Sequence, residues 1–326
     1  RNVHINLITI KKVPLLEIYC KKTTNKGTFM NNLSEIIISV YLTIEKELSN
    51  LLQGKVLRKS GKVPKLTDGE CITIFVVAEA LNINTEVGTW KYFKEHWSHY
   101  FPSLPSRSQL HRQITNLWNI CQHIQQRLLR QHFSQPERCI IDGFPIRVCR
   151  FSRARRVSRF RDVSSYDHCA AQKETYFGMK GHLLINDQGC IVNCLIANAK
   201  YKERESSFEV LEGYRGICLG DKGYLGKDFW EEMRNSGVIF RTPFRKNMES
   251  DPMREMTKDE RTSRRLIETV IEQLTERFGL KRLWCRDVFH LTGRVARKIL
   301  SHTICCVLNK TLGNKTTQFE KIIPML

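Results

Sequence analysis

The chain has 326 residues, of which 41% are hydrophobic, enough to bury a core in one large or two ordinary domains. Lys and Arg number 53 against 33 Asp and Glu, and the resulting net charge of +20 favours a polyanionic partner. No apolar run approaches the roughly 18 residues of a membrane-spanning helix, so we expect nucleic acid rather than a membrane as that partner.

The start of the chain lacks a clear structural pattern. It begins with Arg1, and Met30 immediately precedes the first good helical pattern. We therefore expect natural translation to begin at Met30 and residues 1–29 to be a non-native upstream extension.

The first half of the chain is predicted to be helical. Thr67 and Glu70 form a capping-box pattern, Thr85 is placed to cap a short aromatic helix, and Ser106 opens a longer one. Such short helices fit a DNA-binding bundle, and they fit a domain that only packs or dimerises equally well. Apolar residues at helical spacing predict helices over 34–52, 71–81, from 85, and 106–131.

The second half changes to short apolar runs after a polar linker. One predicted strand alternates, with Phe177, Met179, Leu183 and Ile185 on an apolar face and Lys180 and His182 among the residues of the other face. The order of elements predicts a five-stranded mixed α/β sheet flanked by helices, behind an all-α N-terminal domain. Strands are predicted over 139–148, 176–185, 190–197, 215–220 and 237–242, and helices over 203–213, 227–235, 261–278 and 290–311.

Three acidic residues form the main candidate site. Asp142 and Asp221 each follow an apolar run at the end of a predicted strand, and Glu268 lies at the edge of the apolar stripe of a predicted helix. Carboxylate oxygens are the ligands that Mg²⁺ prefers. In a strongly basic chain, this set indicates metal-dependent chemistry on a polyanion.

Arginines are concentrated in residues 147–161, just after Asp142. The guanidinium group pairs well with phosphate oxygens, and so many like charges would repel one another without an anionic partner. The segment therefore predicts phosphate contacts. Its arginines are Arg147, Arg150, Arg153, Arg155, Arg156, Arg159 and Arg161.

The twelve cysteines show no metal-binding pattern. They include no Cys-x-x-Cys pair, and most lie within apolar runs. We interpret them as reduced core residues of a cytoplasmic protein.

Five ordered segments resemble the transposases of bacterial insertion sequences. The class is the DDE superfamily, and the group is the one named after insertion sequence 982. The resemblance runs from about Met30 to Gly313. The segments are Ile141–Ile146, Lys173–His182, Leu219–Tyr224, Thr242–Asn247 and Arg264–Val270.

The resemblance implies a ribonuclease H-like catalytic core that cleaves and rejoins DNA at the ends of its own mobile element. The acids of the family map to Asp142, Asp221 and Glu268, with Arg264 four residues before the glutamate, and they would hold two Mg²⁺ ions, with Mn²⁺ as a substitute. The implied partners are double-stranded DNA, as terminal inverted repeats and target, and a second or further copy of the chain in a nucleoid-associated synaptic complex. Lys180, His182, Lys222, Arg245 and Arg264 complete the predicted DNA contacts.

Two other functions remain open at this point. One is a non-catalytic DNA-binding remnant of a mobile element, and the other is a ribonuclease H-like nuclease. The predicted organisation is a helical domain over 30–135, a catalytic domain over 136–313 and a tail over 314–326.

Overall fold

The computed structural model describes residues 33–58, 60–170, 173–245, 248, 251–281 and 285–323. The predicted upstream extension, residues 1–29, and the end of the predicted tail lie outside the described residues.

Helices occupy the N-terminal part, as the sequence predicts. The predicted capping box joins Thr67 and Glu70, and the Thr85 hydroxyl accepts a hydrogen bond from the Gly88 N–H. The prediction of a single helix from Ser106 onward is wrong, because the helix is interrupted at Leu117. Apolar periodicity could not show this break, since buried residues continue on one face across it. The helices are α1 Leu33–Leu52, α2 Asp68–Ala80, α3 Glu86–His96, α4 Arg107–Thr115 and α5 Trp118–His132.

A mixed sheet follows these helices. Its strands are β1 Arg138–Arg147, β2 Ser165–Cys169, β3 Glu174–Asn186, β4 Ile191–Asn198, β5 Gly216–Leu219 and β6 Val238–Arg241. β3 pairs antiparallel with β1 on one edge and with β2 and β4 on the other. β1, β5 and β6 pair in parallel.

All five predicted strands are present, and β2 is an additional one. Its sequence, Ser-Tyr-Asp-His-Cys, contains no apolar run, and its residues are half-buried or exposed. The pattern of apolar runs that predicted the other strands therefore gave no signal for β2.

Helices cover both faces of the sheet. They are α6 Glu203–Val210, α7 Lys227–Asn235, α8 Lys258–Arg264, α9 Leu266–Glu272 and α10 Val288–Thr311. α6 and α7 pack on the face that carries Ile141 and Leu184. α9 and α10 belong to the core on the opposite face, which carries Ile140 and Leu183. This arrangement confirms the mixed α/β class with helices that precede the sheet.

The helix predicted over 261–278 is interrupted. The helix is interrupted at Arg265, between α8 and α9, and a π-helical turn over Gln273–Arg277 follows α9. The apolar stripe persists through these changes, since Ile267, Val270 and Leu274 are fully buried. Glu268 therefore keeps its predicted position at the edge of that stripe.

One apolar core joins the N-terminal helices to a face of the sheet, because α10 packs against both α2 and α5. A buried ion pair lies within this contact, in which Lys298 of α10 donates to the Glu79 carboxylate of α2 and to the Phe278 carbonyl. Arg297 lies 3.8 Å from the other Glu79 oxygen. Burial lowers the pKa of Lys298.

Two predictions from composition can be compared with the fold. Every cysteine in the described part of the chain is free, and most of them are buried. The ranges that the structure describes contain no helix with the length and apolarity needed to cross a bilayer.

Candidate active site

The two aspartates lie at the same edge of the sheet. Asp142 in β1 and Asp221 after β5 each come two residues beyond the paired Ile140 and Leu219 of these parallel strands. Each carboxylate accepts a 2.8 Å hydrogen bond from a following glycine N–H. Burial and the nearby Asp221 carboxylate raise the pKa of Asp142 to about 6. Burial and the Glu203 carboxylate raise the pKa of Asp221.

Arg264 connects the strand edge to the helix that carries Glu268. Its Nη1 lies 3.4 Å from Asp142 Oδ2, and its Nη2 donates to Glu268 Oε1 at 3.0 Å. Glu268 thus lies on the same side of the sheet as Asp142, within reach of one guanidinium group. Its side chain is 60% exposed, so it can turn without disturbing the core.

Glu203 is a fourth carboxylate at this edge, and the sequence analysis did not place it in the site. It is the first residue of α6, and its Oε1 accepts a 2.6 Å hydrogen bond from Lys180 Nζ. A Cβ atom at Gly223 would lie 2.2 Å from Glu203 Oε2, and one at Gly143 would lie 3.5 Å from Oε1. Glu203 therefore lies between the segments that carry the two aspartates. Its only sequence signal was an acidic residue at the start of a predicted helix after a strand.

The carboxylate oxygens at this edge are suitable ligands for a hard divalent cation, although the side chains are not arranged around a common metal position. Asp142, Asp221, Glu203 and Glu268 supply oxygen ligands only, the kind that Mg²⁺ prefers. Among the described residues, no group of three or more His, Cys, Asp or Glu side chains is arranged to hold a metal ion. Arg264 and Lys180 instead neutralise three of these carboxylates.

The predicted arginine segment lies mostly on the surface. Arg150, Arg153, Arg155 and Arg156 are exposed, the last three within a short 3₁₀ helix over Phe151–Arg156. Arg159 and Arg161 are also exposed, and each donates to a backbone carbonyl, of Cys285 and Arg155 respectively. Lys222 and Arg245 are exposed as well.

Besides Arg264, three more of the predicted DNA contacts have side-chain partners within the protein. Arg147 is paired with Glu174, and Lys180 with Glu203. His182 is fully buried, and its Nδ1 lies 2.9 Å from the Ser206 hydroxyl. Burial lowers the pKa of His182 to about 4. The prediction that His182 contacts DNA is not supported, because α6 covers this side chain.

The geometry defines a class of site in which carboxylates gather at the edge of a mixed sheet, within a basic protein. Residues 135–282 match the family model described as Transposase DDE domain, and this range includes Asp142, Asp221 and Glu268. The match supports a DDE transposase, a class that generally uses divalent metal ions. It does not distinguish the insertion sequence 982 group from others.

Two further comparisons add little to this match. No curated protein matches the chain. A cryo-EM structure of a piggyBac transposase synaptic complex with hairpin DNA is similar at a TM-score of 0.43 and 11% identity, over 89% of this chain and 76% of that one. A likeness of this extent carries no argument about function.

Proposed function

We propose that the protein is a transposase of the insertion sequence 982 group that cleaves and joins DNA at the ends of its own element. The supporting observation is that Arg264 joins Asp142 of a strand to Glu268 of a helix, with Asp221 just beyond the end of the adjacent strand β5. Three separate parts of the chain thus bring carboxylates to one sheet edge. The net charge of +20 suits a DNA substrate.

Asp142, Asp221 and Glu268 would hold two Mg²⁺ ions, with Mn²⁺ as a substitute, and Glu203 is placed to support them. When bound, such ions activate the attacking oxygen and stabilise the leaving oxygen of an in-line displacement at phosphorus. Burial and the neighbouring Asp221 carboxylate raise the pKa of Asp142, so the protein groups around it compensate its negative charge poorly. A divalent cation would supply that compensation.

Arg264 and Lys180 would change partners when DNA arrives. Both cations now contact carboxylates, at distances of 3.0–3.4 Å for Arg264 and 2.6 Å for Lys180. DNA phosphates offer each of them an alternative anionic partner. This exchange would free Glu268 and Glu203 to turn toward the aspartates.

The exposed arginines would bind DNA phosphates at positions outside the cut site. They are Arg150, Arg153, Arg155, Arg156, Arg159 and Arg161, together with Arg245 and with Lys222, which follows Asp221 in the sequence. The substrate would be double-stranded DNA, as inverted repeats and target, held by two or more copies of the chain in the bacterial cytoplasm.

An Asp221→Asn variant tests this proposal. The substrate is a DNA fragment carrying the sequences that flank the gene, incubated with Mg²⁺, and both binding and cleavage are measured. The variant should bind DNA as well as or slightly better than the parent, because it removes one negative charge near phosphate. Its cleavage should fall by more than ~100-fold, since even ligand-supporting residues of metal sites are worth 10–100-fold.

Asp228→Asn is the matched control, because Asp228 is an exposed aspartate in the first turn of α7. It should cleave normally. Near-normal cleavage by Asp221→Asn would refute the assigned role. Hydrolysis without strand transfer in the parent protein would favour a nuclease, and specific binding without cleavage would favour a non-catalytic remnant.

A further inference from the structure

Two exposed aromatic rings lie beside the arginine segment. Phe151 is 54% exposed and Tyr166 is 41% exposed, and their ring centroids are 5.9 Å apart at an interplanar angle of 78°. Tyr166 stands directly opposite Phe177 of β3, with ring centroids 5.0 Å apart. Phe177 is buried in the core, so the exposed rings rest on a fixed support. We call Phe151 and Tyr166 the aromatic pair.

Cations border the aromatic pair. Arg150 precedes Phe151, and Arg153, Arg155 and Arg156 follow it in the same 3₁₀ helix. All four are exposed, and none of the ion pairs between described residues includes them. Exposed rings among unpaired cations match a partner that carries both flat apolar faces and negative charge.

Nucleotides have that combination. A partner bound only through its phosphates would need only the arginines, because phosphate contacts follow the DNA backbone without regard to the bases. Aromatic rings add binding energy when they stack on a base, and every base offers a π-face for this. Within a paired duplex, both faces of each base are covered by its neighbours. Only an unpaired or unstacked base can therefore use the aromatic pair.

We propose that the aromatic pair stacks on an unpaired DNA base while the neighbouring arginines hold the flanking phosphates. The proposal deepens the transposase function and rests on it for the identity of the DNA. The ligand is a single-stranded or locally opened DNA segment. Its binding site is distinct from the carboxylates.

The sheet register places the aromatic pair on the face that carries Asp142. Asp142 pairs with Leu183 of β3, and Tyr166 pairs with Phe177 of the same strand, on the same face. Six residues along a strand correspond to ~20 Å. At 3.4 Å per step, that is about six nucleotides. The stacked base would thus lie within about six nucleotides of the cut phosphate.

Binding of a ~12-nucleotide oligothymidylate, a length within the range of known single-strand sites, tests the proposal in the full chain. Fluorescence anisotropy gives its Kd and that of a blunt duplex at several salt concentrations. Phe151→Leu and Tyr166→Leu should each weaken oligothymidylate binding by about 5- to 150-fold, corresponding to about 1–3 kcal/mol. The slope of log Kd against log salt should stay unchanged, because the cations remain. Duplex binding should change less than twofold.

Matched variants separate stacking from damage to the fold. Tyr166→Phe keeps the ring and should bind normally. Phe208→Leu removes a ring of similar exposure, 40%, from α6 on the other face of the sheet, and should also bind normally. When the oligonucleotide carries 5-iododeoxyuridine, the residue that is photocrosslinked to it should be Phe151 or Tyr166.

Several outcomes would overturn the proposal. These are unchanged oligothymidylate binding, an equal loss on duplex, or a concentration-dependent dimer that the leucine variants abolish, which would assign the rings to a contact between copies. Cleavage by Asp221→Asn would refute the proposed function separately. That result would not change the outcome of the stacking measurement.

Discussion

Asp142 should destabilise the cation-free protein at neutral pH. Its side chain is only 22% exposed, and its pKa is raised from 3.8 to about 6 by burial and by the Asp221 carboxylate. A carboxyl whose folded pKa is raised stabilises the fold fully below its unfolded pKa, and this stabilisation is lost as pH rises through the folded value. The relevant window is therefore about pH 4 to 6.

The size of the effect follows from the shift. The rise of the Asp142 pKa from 3.8 to about 6 corresponds to an upper value of ~3 kcal/mol of lost folding free energy at pH 7.5. At pH 4.5 the same linkage gives only ~1 kcal/mol. Asp142→Asn keeps the shape of the side chain and removes its titration. The variant should therefore be more stable than the parent by up to ~3 kcal/mol at pH 7.5, with a gap ~2 kcal/mol smaller at pH 4.5.

Urea unfolding in EDTA across this pH range measures the difference. Asp228→Asn serves as the control, because its exposed carboxylate should give no such pH-dependent gap. Adding Mg²⁺ should stabilise the parent by an amount that grows with the logarithm of its concentration above the Kd, and it should leave Asp142→Asn unaffected. Parallel stability curves for parent and variant, or a variant less stable at pH 7.5, would refute the argument.

Three further predictions concern the surface and the core. Replacing Arg153, Arg155 and Arg156 with Ala should reduce the slope of log Kd against log salt by up to ~3 units on duplex DNA, at ~0.9 per lost phosphate contact; an unchanged slope would show that this segment faces away from DNA. Glu79→Gln should cost ~3–5 kcal/mol in denaturant unfolding, because the buried Lys298 loses its carboxylate partner. Adding Lys298→Met should recover much of that loss, and a single-variant cost below ~1 kcal/mol would contradict the buried pair. A fragment of residues 33–135 should not fold cooperatively in circular dichroism melts, because it lacks α10; sequence-specific binding by a folded fragment would refute this.

The sequence allowed the N-terminal helices either to recognise the ends of the element as a separate unit or only to pack and dimerise. Their shared core with α10 means that their role is best tested by surface substitutions in the full chain.

Asp142, Asp221 and Glu268 could be singled out in the sequence because each has a local signal, although Asp142 lies within β1 rather than at its end as expected. Asp142 and Asp221 end apolar runs, and the stripe of Ile267, Val270 and Leu274 orients Glu268. Periodicity in one dimension is enough for such positions.

Other features depended on contacts between distant segments. Glu203 joins the site only because α6 folds across the sheet and brings it to Lys180. His182 follows the alternation of an amphipathic strand, yet α6 buries it through Ser206. No local pattern carries this information, because it depends on which element covers which face. β2 was missed for a related reason, since pairing with β3 rather than its own apolarity makes it a strand.

The packing of α10 against α2 and α5 also sets an order of events during synthesis. The N-terminal helices end at residue 132, and the helix that completes their core begins at residue 288. At 5–20 residues per second, the intervening chain takes ~8–30 s to emerge. Throughout that interval the apolar faces of α2 and α5 lack their final partner. The nascent chain should then depend on chaperones, and a premature stop before α10 should yield an aggregating product rather than a smaller working protein.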